Sequence, residues 1–215
     1  MDSTLIQFAS KDTLGFLSNH AVLLSLLMGI GLSASCGFRV FVPLLVASIA
    51  AKLNILHLGA GFAWMGSTAA IVAFATATVL EILGYYIPFV DNILDTITTP
   101  TSVVAGSLLT ASTILPEISP MLKWGLAIIV GGGSAGIIQA GTALTRATST
   151  VATAGVANPV VATAEHGLSI AGSILSIIMP IVVTIIVSIL IVVSLFFMIR
   201  YFKKHIPTAP QPTTT

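Results

Sequence analysis

A chain of 215 residues that is 56% hydrophobic and only 7% charged is far from an ordinary soluble domain, in which about a quarter of residues carry charge. A formal net charge of +1 supplies no field that would draw it to nucleic acid. The lone Cys36 excludes an internal disulfide, and no Cys/His set has zinc-ligand spacing.

Residues 1–20 read as an interfacial lead-in. Lys11 precedes an apolar stretch, but that stretch runs on through Phe38, Val40 and Phe41 with no small-residue cleavage site, so no cleaved signal is expected. Between 21 and 51 the single charge is Arg39. Gly37, Arg39 and Pro43 predict a break there, with helices over 16–36 and 40–52 and the arginine at the turn or inside a discontinuous element. A connection over 52–61 leads to a predicted full span over 62–83, with Glu81 near its end. Tyr85, Tyr86 and Pro88 follow, and the proline disfavours helix at Ile87. Asp91 and Asp95 then have the spacing of one helical turn.

Residues 101–115, bounded by Pro100 and Pro116, are short for a span and predict a re-entrant or half-helix. A span opening at Lys123 or Trp124 runs through the glycine-rich 131–136 to Arg146. Small polar residues lead through Asn158 and Pro159 to Glu165, read as a cap of the last helix, and to His166. Leu168 to Ile199 contains no Asp, Glu, Lys, Arg or His. That exceeds the roughly 20 residues a spanning helix needs, with Pro180 as a kink or point of entry. The helical membrane domain is thus expected over 21–204, with 205–215 a disordered Pro/Thr tail.

These segments predict an all-α, polytopic helical membrane protein with glycine-rich packed helices and broken or re-entrant elements. Arg200, Lys203 and Lys204 favour a cytoplasmic C-terminus. If every segment from 62 onward crosses, Lys52 and Lys123 fall on that same side and Arg146, Asp91 and Asp95 on the outer one. A re-entrant 101–115 would reverse the earlier elements.

Gly29, Ser33 and Gly37 recur every four residues, as do Gly132, Gly136 and Ala140. In lipid that spacing lets helix backbones approach closely, so Gly29, Ser33, Gly37, Gly132 and Gly136 are the expected packing positions. Gly125, Gly132, Gln139 and Arg146 form a seven-residue stripe. Charge at membrane depth costs several kcal/mol unless paired or hydrated. Arg39 and Arg146 are therefore expected to pair within the set Glu81, Asp91, Asp95 and Glu165, with Arg39 reaching Glu81 or the 91–95 turn. With Gln139 these residues form the candidate solute or ion-pair site. Two carboxylates are weak metal evidence. No catalytic set, metal site or cofactor is expected, and the chain does not read as an enzyme. Tyr85, Tyr86 and Trp124 read as an aromatic belt.

Three ordered signatures carry a family resemblance. The first is the small-rich run from Gly31 through Gly37 and Arg39 to Pro43. The second is Glu81, then Ile87, Pro88, Phe89, Val90, Asp91, Asn92 and Asp95, with Pro100 and Gly106 after it. The third is the glycine-rich helix ending at Arg146, with Asn158, Pro159 and Glu165 downstream. Together they span about 25–170 and resemble the bacterial membrane family described as a domain of unknown function, DUF4126. The chain departs from many relatives where they have Asp-Lys and it has Tyr85 and Tyr86, so a role resting on that pair does not carry over.

The resemblance implies a multi-pass protein of a bacterial inner membrane and supplies no reaction or substrate. The leading functional expectation is a small-solute or ion transporter or permease. The alternative is a non-catalytic membrane scaffold or assembly factor. Expected partners are membrane lipid, a small polar solute or ion, and a second copy of the chain, but not nucleic acid.

Overall fold

The computed structural model describes residues 20–87, 90–114 and 118–205. The expected lead-in (apart from His20) and the Pro/Thr tail beyond 205 lie outside these residues. The described chain is helical: α1 (His20–Cys36), α2 (Phe41–Lys52), a 3-10 turn (Ala60–Gly66), α3 (Thr68–Gly84), α4 (Val90–Thr113), α5 (Pro120–Thr153), α6 (Asn158–Ile178) and α7 (Pro180–His205). Helices α5, α6 and α7 are long and apolar enough to cross a membrane, and the 3-10 turn with α3, bent by 64°, passes as a fourth span if taken as one. The chain is a helical membrane protein.

The helix break expected near Arg39 lies between Cys36 and Phe41. Its consequence is a hairpin, because neighbouring contacts run in opposite senses along the two helices. Gly29 abuts Thr110 and Thr113 of α4, whereas Gly37 abuts Ala135 and Ile138 of α5. Returning along α2, Phe41 meets Glu81 near the end of α3, and Lys52 Nζ reaches Thr68 Oγ1 at its start, 2.5 Å away. The turn of this hairpin stands level with Glu165, seven residues beyond Asn158 and so about 10 Å inside the start of α6 at 1.5 Å per residue.

Four expectations of the fold are corrected. The predicted half-helix over 101–115 is not separate: residues 101–113 belong to the 24-residue α4, with Pro100 inside it. The proline removes one helical N–H, and the hydroxyls of Thr99 and Thr101 bond the carbonyls of Asp95 and Ile97 on either side of the gap. The predicted span over 62–83 is not one straight helix: it is bent by 64° between the 3-10 turn and α3, because Ser67 accepts a hydrogen bond from Ala70 N–H at 3.1 Å and caps α3 there.

The apolar run from Leu168 to Ile199 is not one span but two helices, broken at Met179 with Pro180 opening α7. They pass α1 in opposite directions. Ser176 of α6 lies at Gly31 and Gly172 at Ser35. Thr184 of α7 bonds Leu27 O, and Ser194 farther along bonds Ile137 O. This places Arg200 at the same end of the bundle as Arg146 and Asp91. Lys52 stands at the other end, where Lys123 lies beside Gly59 and Gly59 N–H bonds Ser112 O. The expected grouping of Lys52 and Lys123 with the C-terminus is thereby reversed.

Small residues and hydroxyls fill the bundle. Ser33, Ser102, Thr110, Ser112, Ser169, Ser173 and Ser176 are all fully buried. Most answer their own preceding turn, while Ser33 Oγ crosses to Gly106 O at 2.5 Å and Thr110 Oγ1 at 2.7 Å. A Cβ on Gly37 would stand 2.6 Å from Ala135 O, and one on Gly132 would stand 2.5 Å from Ser107 Oγ and 3.2 Å from Val103 O. A Cβ on Gly136 would meet Val103 Cγ2 at 3.0 Å and nothing else within 4 Å outside its own helix among the described residues. Gly125 drops out of the seven-residue stripe and faces open space. The π-helical stretch Ala127–Gly132 lies between it and Gly132 and shifts the register.

Candidate functional site

Four helices deliver charged side chains to the α1–α2 turn, which itself carries Arg39. The break exposes the first backbone N–H groups of α2, and α3 answers them: Glu81 Oε1 accepts from Val40 N–H at 2.8 Å and Oε2 from Phe41 N–H at 3.0 Å. Glu81 is thus an anion on a helix N-terminus, where unpaired donors and the backbone dipole favour it. The expected contact between Arg39 and Glu81 is replaced by this arrangement. Arg39 turns instead to α6, placing Nη2 2.9 Å from Glu165 Oε2.

Glu165 is not the helix cap it was expected to be. Helix α6 already starts at Asn158, with Pro159 in its first turn, which carries Glu165 into the interior two turns on. There its Oε2 also accepts from Arg146 Nη1 at 2.5 Å. Arg146 closes a two-toothed pair with Asp95 of α4: Nε donates to Oδ2 at 3.1 Å and Nη2 to Oδ1. One carboxylate oxygen therefore bridges two guanidiniums, and a second carboxylate grips one of them. Arg39 and Arg146 are almost wholly buried, while the Asp95 side chain is 15% exposed and brings the network toward the bundle end.

The remaining Arg39 donors are occupied. Nε–H donates a hydrogen bond to His166 Nδ1 at 2.6 Å, so that ring nitrogen is the unprotonated one. Nη1 reaches Phe38 O at 3.2 Å and Nη2 reaches Ala162 O at 3.4 Å.

Tyr85, read from sequence as belt aromatic, lies buried inside the cluster. The Arg39 guanidinium carbon sits 3.7 Å from its ring centroid and that of Arg146 4.5 Å, both in cation–π range. The Tyr85 hydroxyl donates to Asp95 Oδ1 at 3.1 Å and shares a hydrogen bond with Thr98 Oγ1 at 3.0 Å. Gln139 Nε2 donates to the same Thr98 oxygen at 3.1 Å. The antiparallel pairing of α4 and α5 explains this ladder, since Asp95 and Thr98 are one turn apart on α4 and face Arg146 and Gln139, two turns apart on α5. Tyr86 covers the outside, its ring edge-to-face with His166 at 5.7 Å and its hydroxyl 2.8 Å from Thr163 Oγ1.

Of the expected site residues, Arg39, Glu81, Asp95, Gln139, Arg146 and Glu165 meet in this network. Asp91 accepts from Asn158 Nδ2 at 2.9 Å. Asn158 Nδ2 also reaches Thr150 Oγ1 at 2.8 Å, tying α4, α5 and α6 together at the bundle end. The two aspartates thus serve different partners. Sequence reasoning missed Tyr85 and His166 as members of the cluster. The signal available for Tyr85 was its place four residues after Glu81, one turn along the same helix face.

The DUF4126 family, a domain of unknown function, matches residues 26–200, which include every member of this cluster. The chain belongs to that family. Comparison with curated proteins and with solved structures gives no match. In this DUF4126 protein, the Tyr85 ring is in contact with both arginines of the cluster.

Proposed function

We propose that this DUF4126 protein is a small permease that carries a polar solute or ion past the recessed α1–α2 turn. The reading is carried by one observation: charged groups from four helices converge on Arg39 at the break between α1 and α2. Ions at such depth cost several kcal/mol each unless paired or hydrated. A chain with only eight basic and seven acidic residues places two of the former and three of the latter at this point. Helices interrupted inside the membrane are the type of element around which transporters build their sites. Because Glu81 already occupies the N–H groups of α2, solute recognition falls to the two arginines and not to the helix end.

The test is flux through purified protein reconstituted in liposomes, across a panel of ions and neutral polar solutes at several pH values. Arg39→Gln and Arg146→Gln are expected to lower the active flux at least tenfold after correction for folded protein. Arg39→Glu should lower it further, because it reverses recognition as well as pairing.

A second reading, a membrane scaffold, is favoured by the pairing itself, since every nitrogen of both guanidiniums meets an acceptor. A scaffold would lose stability in the same variants while the whole flux panel stays silent for folded wild-type protein.

A further inference from the structure

We propose that the solute is a small monovalent oxyanion that replaces the Glu165 carboxylate between Arg39 and Arg146, with one proton carried on Glu165. This rests on the permease reading above and specifies its substrate class and coupling.

Glu165 is held entirely through one oxygen. Its Oε2 accepts from Arg39 Nη2 at 2.9 Å and from Arg146 Nη1 at 2.5 Å. Its Oε1 is buried and meets no hydrogen-bond partner among the described residues. A buried carboxylate oxygen without a donor is costly, and a proton is the smallest species that satisfies it.

Placing a proton on Oε1 leaves Oε2 as a carbonyl oxygen and removes one negative charge from the cluster. The remaining anions are already committed: Asp95 to Arg146 by two bonds, and Glu81 to the N–H groups of Val40 and Phe41. Arg39 is then the guanidinium short of a counter-charge. The charge missing at that place is one.

The chemistry of the replacement follows from the donors. Arg39 Nη2 and Arg146 Nη1 already converge on a single carboxylate oxygen, and His166 Nδ1 and the Tyr85 ring hold the Arg39 fork in its plane. Planar guanidinium forks match carboxylate-like oxyanions better than a spherical ion. A cation would face two guanidiniums and is disfavoured by repulsion.

In the proposed cycle, one anion and one proton enter from the same side. The proton adds to Glu165 Oε1, and the anion accepts from the two arginines. On release, the proton leaves Glu165 and its carboxylate returns to the pair, so one charge of each sign crosses and the step is electrically neutral. The other titratable groups of the cluster around Glu165 are Arg39 in the α1–α2 turn, Glu81 and Tyr85 at the end of α3, Asp95 on α4, Arg146 on α5 and His166 on α6 itself.

The probes are nitrate and methanesulfonate, with chloride, choline and glycerol as controls, supplied to proteoliposomes under an inward proton gradient with an internal pH dye. Wild-type protein should take up both oxyanions with about one proton each, at least tenfold faster than choline or glycerol and faster than chloride. Glu165→Gln should take up nitrate without acidifying the lumen and with a flat pH profile.

Wild-type protein in detergent supplies a measurement that needs no variant. Nitrate at matched ionic strength should raise the melting temperature more at pH 5 than at pH 8. Choline or glycerol flux without oxyanion flux would overturn this proposal and leave the permease reading standing. Silence of the entire panel would overturn both. Nitrate uptake that keeps its pH dependence in Glu165→Gln, or nitrate stabilisation equal at both pH values, would remove the proton from Glu165.

Discussion

Arg39 and Glu165 are separated by most of the chain yet depend on each other in the interior, so removing one strands the other. Breaking a buried ion pair by deleting one partner costs about 3–5 kcal/mol, whereas replacing both with apolar groups of similar volume is often neutral. Arg39→Ala should therefore destabilise by about that amount, and Arg39→Met combined with Glu165→Met should recover most of the loss. Glu81→Gln should cost less, about 1–3 kcal/mol, because its amide oxygen still accepts from one of the Val40 and Phe41 N–H groups while the other loses its acceptor. Reversible unfolding in bicelles measures all three. Wild-type stability in Arg39→Ala would mean that the guanidinium is hydrated and not paired. An arginine in an apolar run announced a need for partners, and the acidic residues were few enough to name. Which one it took was hidden, because Glu81 had a competing partner that exists only once α2 starts.

Helix–helix contacts in this bundle rest on glycines whose tolerance differs according to what a methyl group would meet. A Cβ on Gly37 meets backbone, Ala135 O at 2.6 Å, as well as Ile138 Cβ at 2.5 Å; backbone cannot rotate away. A Cβ on Gly136 meets the Val103 Cγ2 methyl at 3.0 Å, which can shift, and one on Gly125 meets nothing within 4 Å. Melting of single variants in detergent should rank Gly37→Ala as the most damaging and Gly136→Ala as mild. Gly125→Ala should be neutral or stabilising by up to ~1 kcal/mol, since alanine loses less backbone entropy in a helix. At Gly132, leucine should be far worse than alanine, because Val103 O stands 3.2 Å from the Cβ position. Equal melting for Gly37→Ala and Gly125→Ala would remove close packing from the argument. Four-residue glycine spacing was legible because it has one main physical use in lipid. The π-helical stretch was not, since an extra residue per turn leaves no mark on composition.

The course of the whole chain turns on Met179. A stretch from Leu168 to Ile199 without a charged residue offers no polar signal for a turn, and both arms are apolar enough to face lipid, so the sequence marked only Pro180, as a kink or point of entry, and not a reversal of direction. The break moves Arg200 and Lys203 to the bundle end that holds Arg146, Asp91 and the α5–α6 turn, which Ala154 and Gly155 form with positive φ. This gives a labelling prediction in a Cys36→Ala background, using a membrane-impermeant maleimide on vesicles of each orientation. Val151→Cys and Val156→Cys, at residues 88% and 81% exposed, should react from the same side as Lys203→Cys. Met121→Cys, at a residue 89% exposed, should react from the opposite side together with Ile55→Cys and Met179→Cys. The decisive pair is Val156 and Lys203. If they react from opposite sides, residues 168–199 cross once, and the bundle that sets Glu165 against Arg39 has the wrong order. If they react from one side, the α6–α7 corner lies at the far end. The charged cluster then sits about 10 Å beneath the face that Asp95 approaches, the distance a solute entering from that face has to travel before it meets the two arginines.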